Sequence, residues 1–81
     1  MSLVLVTRKG CHLCEDALRL LRELGHDPQL ADVDSDDELF RLYDWRVPVL
    51  LSDGDVIAEG LITKRRLEGL LGGSGRGPST V

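Results

Sequence analysis

Apolar positions along the chain fall into four short runs and three stretches of helical spacing. Leu3-Val4-Leu5-Val6, inside the segment Ser2 to Thr7, has the length and continuity of a buried strand. Arg8-Lys9-Gly10 is a short basic turn. Beyond it Cys14, Ala17, Leu18, Leu21 and Leu24 recur at i, i+3, i+4 and i+7, which predicts a helix over Leu13 to Leu24 with one stripe facing a sheet. Gly25 follows in the position that closes a helix. Pro28 opens an extended segment, Gln29 to Asp34, in which Leu30, Asp32 and Asp34 alternate with Ala31 and Val33. This predicts a partly exposed strand at a sheet edge.

Ser35-Asp36-Asp37-Glu38 has the form of a capping box, with Ser35 as the cap and Glu38 reaching back to it. It predicts a helix over roughly Asp36 to Asp44 that carries Leu39, Phe40, Leu42 and Tyr43. Arg46 to Leu51 is the next apolar run. Asp53-Gly54, within Ser52 to Asp55, is the signature of a tight hairpin and joins that run to Val56-Ile57-Ala58. A last helix starts near Thr63, with Ile62 and Leu67 placed as a hydrophobic staple and with Leu67, Leu70 and Leu71 to bury. From Gly72 onward apolar periodicity ends. The expectation is one domain over residues 1–71 and a flexible Gly-rich tail over 72–81.

The order that results is β-α-β-α-β-β-α. A βαβ unit crosses over to give parallel neighbours, and the Asp-Gly hairpin makes the last two strands antiparallel, so the sheet is mixed, four-stranded and covered by three helices. This is an α/β architecture in the pattern of a minimal thioredoxin fold.

Composition narrows what such a domain does. Hydrophobic residues make up 42% and charged residues 30%, a globular balance. The formal net charge of −4 argues against a nucleic-acid surface, which calls for clustered Lys and Arg, so Arg19, Arg22, Lys64, Arg65 and Arg66 read as solvated helix faces. His26 reads as a surface residue. Met1 to Val6 is too short an apolar run for a signal peptide, and no run approaches the roughly 20 residues that span a bilayer. A cytoplasmic, monomeric protein without membrane contact is the expectation. In that compartment two closely spaced cysteines are not a structural staple.

Those cysteines, Cys11-His12-Leu13-Cys14, are the only ones in the chain and lie where the first strand gives way to the first helix. A helix N-terminus presents unpaired N–H groups and the positive end of the dipole, and these together with nearby cations favour a thiolate, the reactive form of cysteine. Arg8 and Lys9 supply cations. Glu15 and Asp16 act in the opposite sense. His12 could tune the pair if protonated. By exposure, Cys11 would be the nucleophile at the mouth of the helix and Cys14, on the core-facing stripe, the resolving thiol.

The element order, the C-x-x-C after the first strand and the Val47-Pro48 pair opening the third together resemble the glutaredoxin branch of the thioredoxin superfamily, over residues 2 to about 71. The closest likeness is to small bacterial glutaredoxin-like proteins. The resemblance implies a cis proline at Pro48 beside the cysteines, with the backbone of Val47 left to pair with an extended peptide or glutathione. Arg8 stands where glutaredoxins carry a lysine, and His12-Leu13 replaces their Pro-Tyr. Glu59-Gly60-Leu61-Ile62-Thr63 replaces the Gly-Gly and Asp that hold the γ-glutamyl end of glutathione. Cys11 and Cys14 are thus the expected catalytic pair, with Arg8, His12, Val47 and Pro48 as substrate-binding residues, in a thiol–disulfide oxidoreductase without a cofactor. Its partner would be a disulfide-containing protein or a low-molecular-weight thiol, glutathione being left open.

Three other readings stand beside this one. Zinc needs four ligands, usually as two pairs, and only one pair exists. An iron–sulfur cluster could bridge two chains through cysteine thiolates. A module without chemistry could hold an extended peptide in the same groove, with Trp45 and Arg46 at its flank, although Trp45 would serve equally as ordinary packing.

Overall fold

The computed structural model describes residues 2–71. The tail expected over 72–81 lies outside them. Strand β1 (Leu3–Thr7) is followed by α1 (His12–Glu23), β2 (Gln29–Asp32), α2 (Asp37–Tyr43), β3 (Val49–Ser52), β4 (Asp55–Glu59) and α3 (Lys64–Leu70). The sheet order is β2-β1-β3-β4, with β1 and β2 parallel and the other two pairings antiparallel. The expected α/β fold, with its mixed four-stranded sheet and three helices, is thus the observed one, and β2 is an edge strand.

Alternation along β1 assigns the two faces of the sheet. Leu5 points to a core shared with Ala17 and Leu21 of α1, Leu50 of β3, Ala58 of β4, and Ile62 and Leu67 around α3. Val6 points the other way, to Val33 and Val49, with Leu39 and Tyr43 of α2 packed against them. A bulge in the β3–β4 ladder, where Leu50 pairs with Ala58 but Leu51 with Val56, inserts Ile57 as the extra residue.

Local signals set most boundaries. At the end of α1, Gly25 N–H donates to the Arg22 carbonyl and His26 N–H to the Leu21 carbonyl, the paired bonds of a Schellman closure, with Gly25 at a φ of 90° that favours glycine. Thr63 caps α3 by accepting from Arg66 N–H, and Ile62 and Leu67 are both buried as a staple requires.

Five details depart from expectation. The second strand ends at Asp32 instead of Asp34, because the Asp32 carboxylate accepts from Asp34 N–H and turns the chain into one 3₁₀ turn, Val33–Ser35. Ser35 is taken up in that turn, its hydroxyl donating to the Asp32 carbonyl, so Asp36 caps α2 by accepting from Glu38 and Leu39 N–H. The third strand starts at Val49, three residues later than the apolar run that begins at Arg46. Leu70, expected in the core, is 42% exposed, while Leu71 packs against the core instead. His26 also differs from a simple surface residue: it is half-buried, and its Nε2 has no hydrogen-bond partner among the described residues.

Candidate functional site

The sheet register brings the chemistry-bearing segments to one end of the molecule. Val6 of β1 pairs with Val49 of β3, and Val49 pairs with Glu59 of β4. The C-terminal exit of β1, the entry to β3 and the exit of β4 therefore lie side by side. These carry, respectively, Cys11 and Cys14, Val47-Pro48, and Gly60-Leu61.

A turn closed by Cys11 N–H donating to the Arg8 carbonyl, with Gly10 at a φ of 76°, swings the chain from β1 into α1. Cys11 is the N-cap, and its Sγ accepts from Cys14 N–H at 3.1 Å. An N–H aimed at this sulfur, at the positive end of a twelve-residue helix, favours negative charge on it. Cys11 and Cys14 are joined as a disulfide, their Cα atoms 5.2 Å apart. Cys11 is half-buried, whereas Cys14 is only 3% exposed, on the stripe that buries Ala17 and Leu21. The outer sulfur is thus the one that a second molecule can reach.

The Val47–Pro48 peptide bond is cis. Pro48 is buried, and its carbonyl and that of Arg46 both accept from Gly60 N–H, at 2.8 and 3.3 Å. Val47 lies between them. Neither its N–H nor its C=O has a hydrogen-bond partner among the described residues. Half-buried and unpaired, this residue presents one backbone donor and one acceptor to an incoming chain.

Arg8 takes a different place from that of an unattached cation beside the cysteines. Its Nε and Nη2 each donate at 2.9 Å to the Asp34 carboxylate, its Nη2 also donates to the Asp44 carboxylate, and Nη1 reaches the Asp44 carbonyl at 3.4 Å. The guanidinium lies 5.8 Å from the centre of the Phe40 ring. Arg8 is thereby held fully charged, its pKa raised first by Asp34 and then by Asp44, and Asp34 is held below the usual carboxylate range by the same bonds. One arginine against two carboxylates leaves the trio net negative.

A second arginine repeats the pattern across the loop. Arg46 donates from Nε and Nη2 to the Glu59 carboxylate, touches the Leu42 carbonyl, and lies 5.2 Å from the Tyr43 ring. Its pKa is raised and that of Glu59 lowered by their shared hydrogen bonds. His12 is 95% exposed, with Nδ1 3.9 Å from a Glu15 carboxylate oxygen. Of the expected site residues, then, Cys11, Cys14, Val47 and Pro48 lie on adjacent strand ends, His12 stands out in solvent, and Arg8 is taken up by Asp34 and Asp44.

Sequence reading did not identify Asp34, Asp44 and Glu59 as partners of these arginines. Trp45 is 93% exposed, which removes the packing role. Among the described residues no group of three or more His, Cys, Asp or Glu side chains is placed to hold a metal ion.

The family profile described as Glutaredoxin-like domain (DUF836) matches residues 2–72, and the chain belongs to that family. Among solved structures, the X-ray structure of structural genomics target protein XcR50 from X. campestris superposes with a TM-score of 0.77 at 30% identity, over 88% of this chain and 96% of that one. Protein Ne2328 from Nitrosomonas europaea, solved by NMR, gives a TM-score of 0.71 at 29% identity, over 85% and 88% of the two chains. A thioredoxin-like protein, BC3987, matches with a TM-score of 0.68 at 24% identity over 85% and 99%, a likeness of fold. No curated protein matched the chain.

Proposed function

We propose that this protein is a thiol–disulfide oxidoreductase in which Cys11 is the nucleophile and Cys14 the resolving thiol. The observation that carries the reading is the Cys11–Cys14 pair at disulfide distance on a glutaredoxin-like fold, with the outer sulfur at the helix mouth and the inner one buried.

In the reductive direction the Cys11 thiolate attacks one sulfur of a target disulfide. The target's S–S bond breaks, a mixed disulfide forms, and the departing sulfur leaves as a thiolate that takes a proton. Cys14, deprotonated, then attacks the Cys11 sulfur, which forms the Cys11–Cys14 bond and releases the second target thiolate. Two electrons pass from the protein dithiol to the target. Cys14 N–H, directed at the Cys11 sulfur, favours charge there in the thiolate that begins the sequence. The unpaired groups of Val47 would align the target's backbone as an added strand, fixing its disulfide in line with Cys11.

Cys14→Ser separates the two steps. The reduced variant, mixed with a small neutral disulfide, should accumulate an adduct on Cys11 by intact mass, while Cys11→Ser should accumulate little. Absence of an adduct with every disulfide offered would overturn the exchange reading and favour a binding module, whereas an equal adduct on Cys14 in Cys11→Ser would overturn the roles given to the two sulfurs.

A further inference from the structure

Three exposed features cluster around the exit of β4 and the entry to β3, and the exchange chemistry uses none of them. Trp45 lies between two fixed neighbours: Asp44 is held by Arg8, and Arg46 by Glu59. Its indole nevertheless stands 93% in solvent. Leu61 is placed similarly. Gly60 is bonded to the carbonyls of Arg46 and Pro48, Ile62 is buried, and Leu61 between them is 69% exposed. Two large apolar side chains thus flank Val47-Pro48 on braced backbone, where a flexible loop would have let them fold inward.

The third feature is the charge that follows. Lys64, Arg65 and Arg66 form the first turn of α3, immediately after the Leu61 loop, and all three are exposed. None is ion-paired among the described residues. A helix N-terminus disfavours cations, and no acidic residue in that turn offsets them. In a chain of formal net charge −4 this tract is a local reversal of sign at the edge of the site. Nearer the cysteines, Arg8 and Arg46 are already bound to carboxylates of the protein itself. A small anionic thiol would meet no uncommitted arginine at the sulfur; Lys9, exposed in the turn, offers only a point charge. A longer partner spans the distance and reaches the cations farther out.

Resting on the oxidoreductase reading above, we infer that the substrate is a disulfide-bearing polypeptide segment, apolar beside its reactive cysteine and acidic farther along. Its backbone pairs with Val47, its apolar residue packs on Trp45 and Leu61, and its carboxylates face Lys64, Arg65 and Arg66. Aromatic anchors supply contact area, and the cationic tract supplies orientation and speed of encounter, an effect that salt weakens.

The test is single-turnover exchange by the pre-reduced protein with three peptides, each closed by one intramolecular disulfide. Their flanks are Leu/Phe with Glu, Leu/Phe with Lys, and Ser/Gly; hydroxyethyl disulfide serves as a reference for the chemistry alone. In each reaction the protein dithiol becomes the Cys11–Cys14 disulfide and the peptide gains two thiols, so no further reductant enters. At low salt the Glu-flanked apolar peptide should react about tenfold faster than the Lys-flanked one, the gap closing as ionic strength rises. Replacing Lys64, Arg65 and Arg66 together by Ser should remove that salt dependence. Trp45→Ala should lower the rate with either apolar peptide, relative to the Ser/Gly peptide, by about fivefold. Exchange with hydroxyethyl disulfide but equal rates for all three peptides would overturn this inference and leave the oxidoreductase reading intact. So would a salt slope unchanged in the triple variant, or a dimer of this chain dispersed by Trp45→Ala. No exchange with any of the four would overturn the oxidoreductase reading, and this inference with it.

Discussion

The face of the sheet under α1 and α3 buries Leu5, Ala17, Leu21, Leu50, Ala58, Ile62 and Leu67 in one cluster, whereas the face under α2 buries only Val6, Val33 and Val49. What the second face lacks in apolar contact it meets with charge. Arg8 ties the end of β1 to the 3₁₀ turn and to Asp44, the residue that caps the C-terminus of α2, and Arg46 ties the following loop to β4. α2 itself has no fully buried side chain, and its Phe40 and Leu42 are exposed. Apolar packing is non-directional and holds a layer in place. Bidentate arginine–carboxylate pairs are directional and hold a particular geometry. The loop that carries Trp45, Val47 and Pro48 belongs to the side fixed in the second way, so the site is positioned by charge and anchored by the opposite core.

The largest expected effect breaks the first face. Leu21→Ala should lower unfolding free energy by about 2–5 kcal/mol, read by urea denaturation with far-UV circular dichroism. Val33→Ala on the second face, removing two methyl groups from a smaller cluster, should lower it by about 2 kcal/mol. A Val33 variant as damaged as the Leu21 one would erase the distinction between the faces. Next in size is Arg8→Met, which keeps an unbranched stem over Phe40 but removes every hydrogen bond. Its urea midpoint should fall less than that of Val33→Ala. Amide exchange at Asp44 and Arg46, whose N–H groups donate to the Phe40 and Tyr43 carbonyls, should rise well above the change seen in α1, and a uniform rise would show that Arg8 has no local bracing role.

The smallest effect is the acid response. Asp34 and Glu59 have folded pKa values below their ordinary range, so as pH falls the unfolded chain takes up protons first and the folded state loses ground. Stability from these pairs should be fully present above about pH 5 and decline below about pH 4. Arg8→Met should remove the Asp34 share of that decline, and an unaltered acid limb would show the pair to be unimportant for stability.

Much of this frame was legible in the sequence because its signals are local. The leucine stripe of α1, Gly25 at its end, Asp53-Gly54 between β3 and β4, and Thr63 with Ile62 and Leu67 each act within a few residues, and each does what its chemistry predicts. The cap of α2 falls one residue after Ser35, since Ser35 and Asp36 are both good caps and only the 3₁₀ turn, set by Asp32, decides between them. At the site, the cysteines and Val47-Pro48 were visible as motifs. The partners of Arg8 were not, because Asp34 and Asp44 lie 26 and 36 residues away and a carboxylate's distant neighbour leaves no mark in local spacing. Nor was the exposure of Trp45, which depends on how its two neighbours are tied down.

That exposure gives the molecule an unusual optical character. Trp45 is the only tryptophan in the chain. Because its indole is already in water when the protein is folded, unfolding changes its surroundings little, and its emission is a poor gauge of the folded fraction. Anything that settles on the loop before Pro48 dehydrates that same ring. The chain's one tryptophan is therefore nearly silent to loss of the fold and sensitive to whatever covers the loop before Pro48.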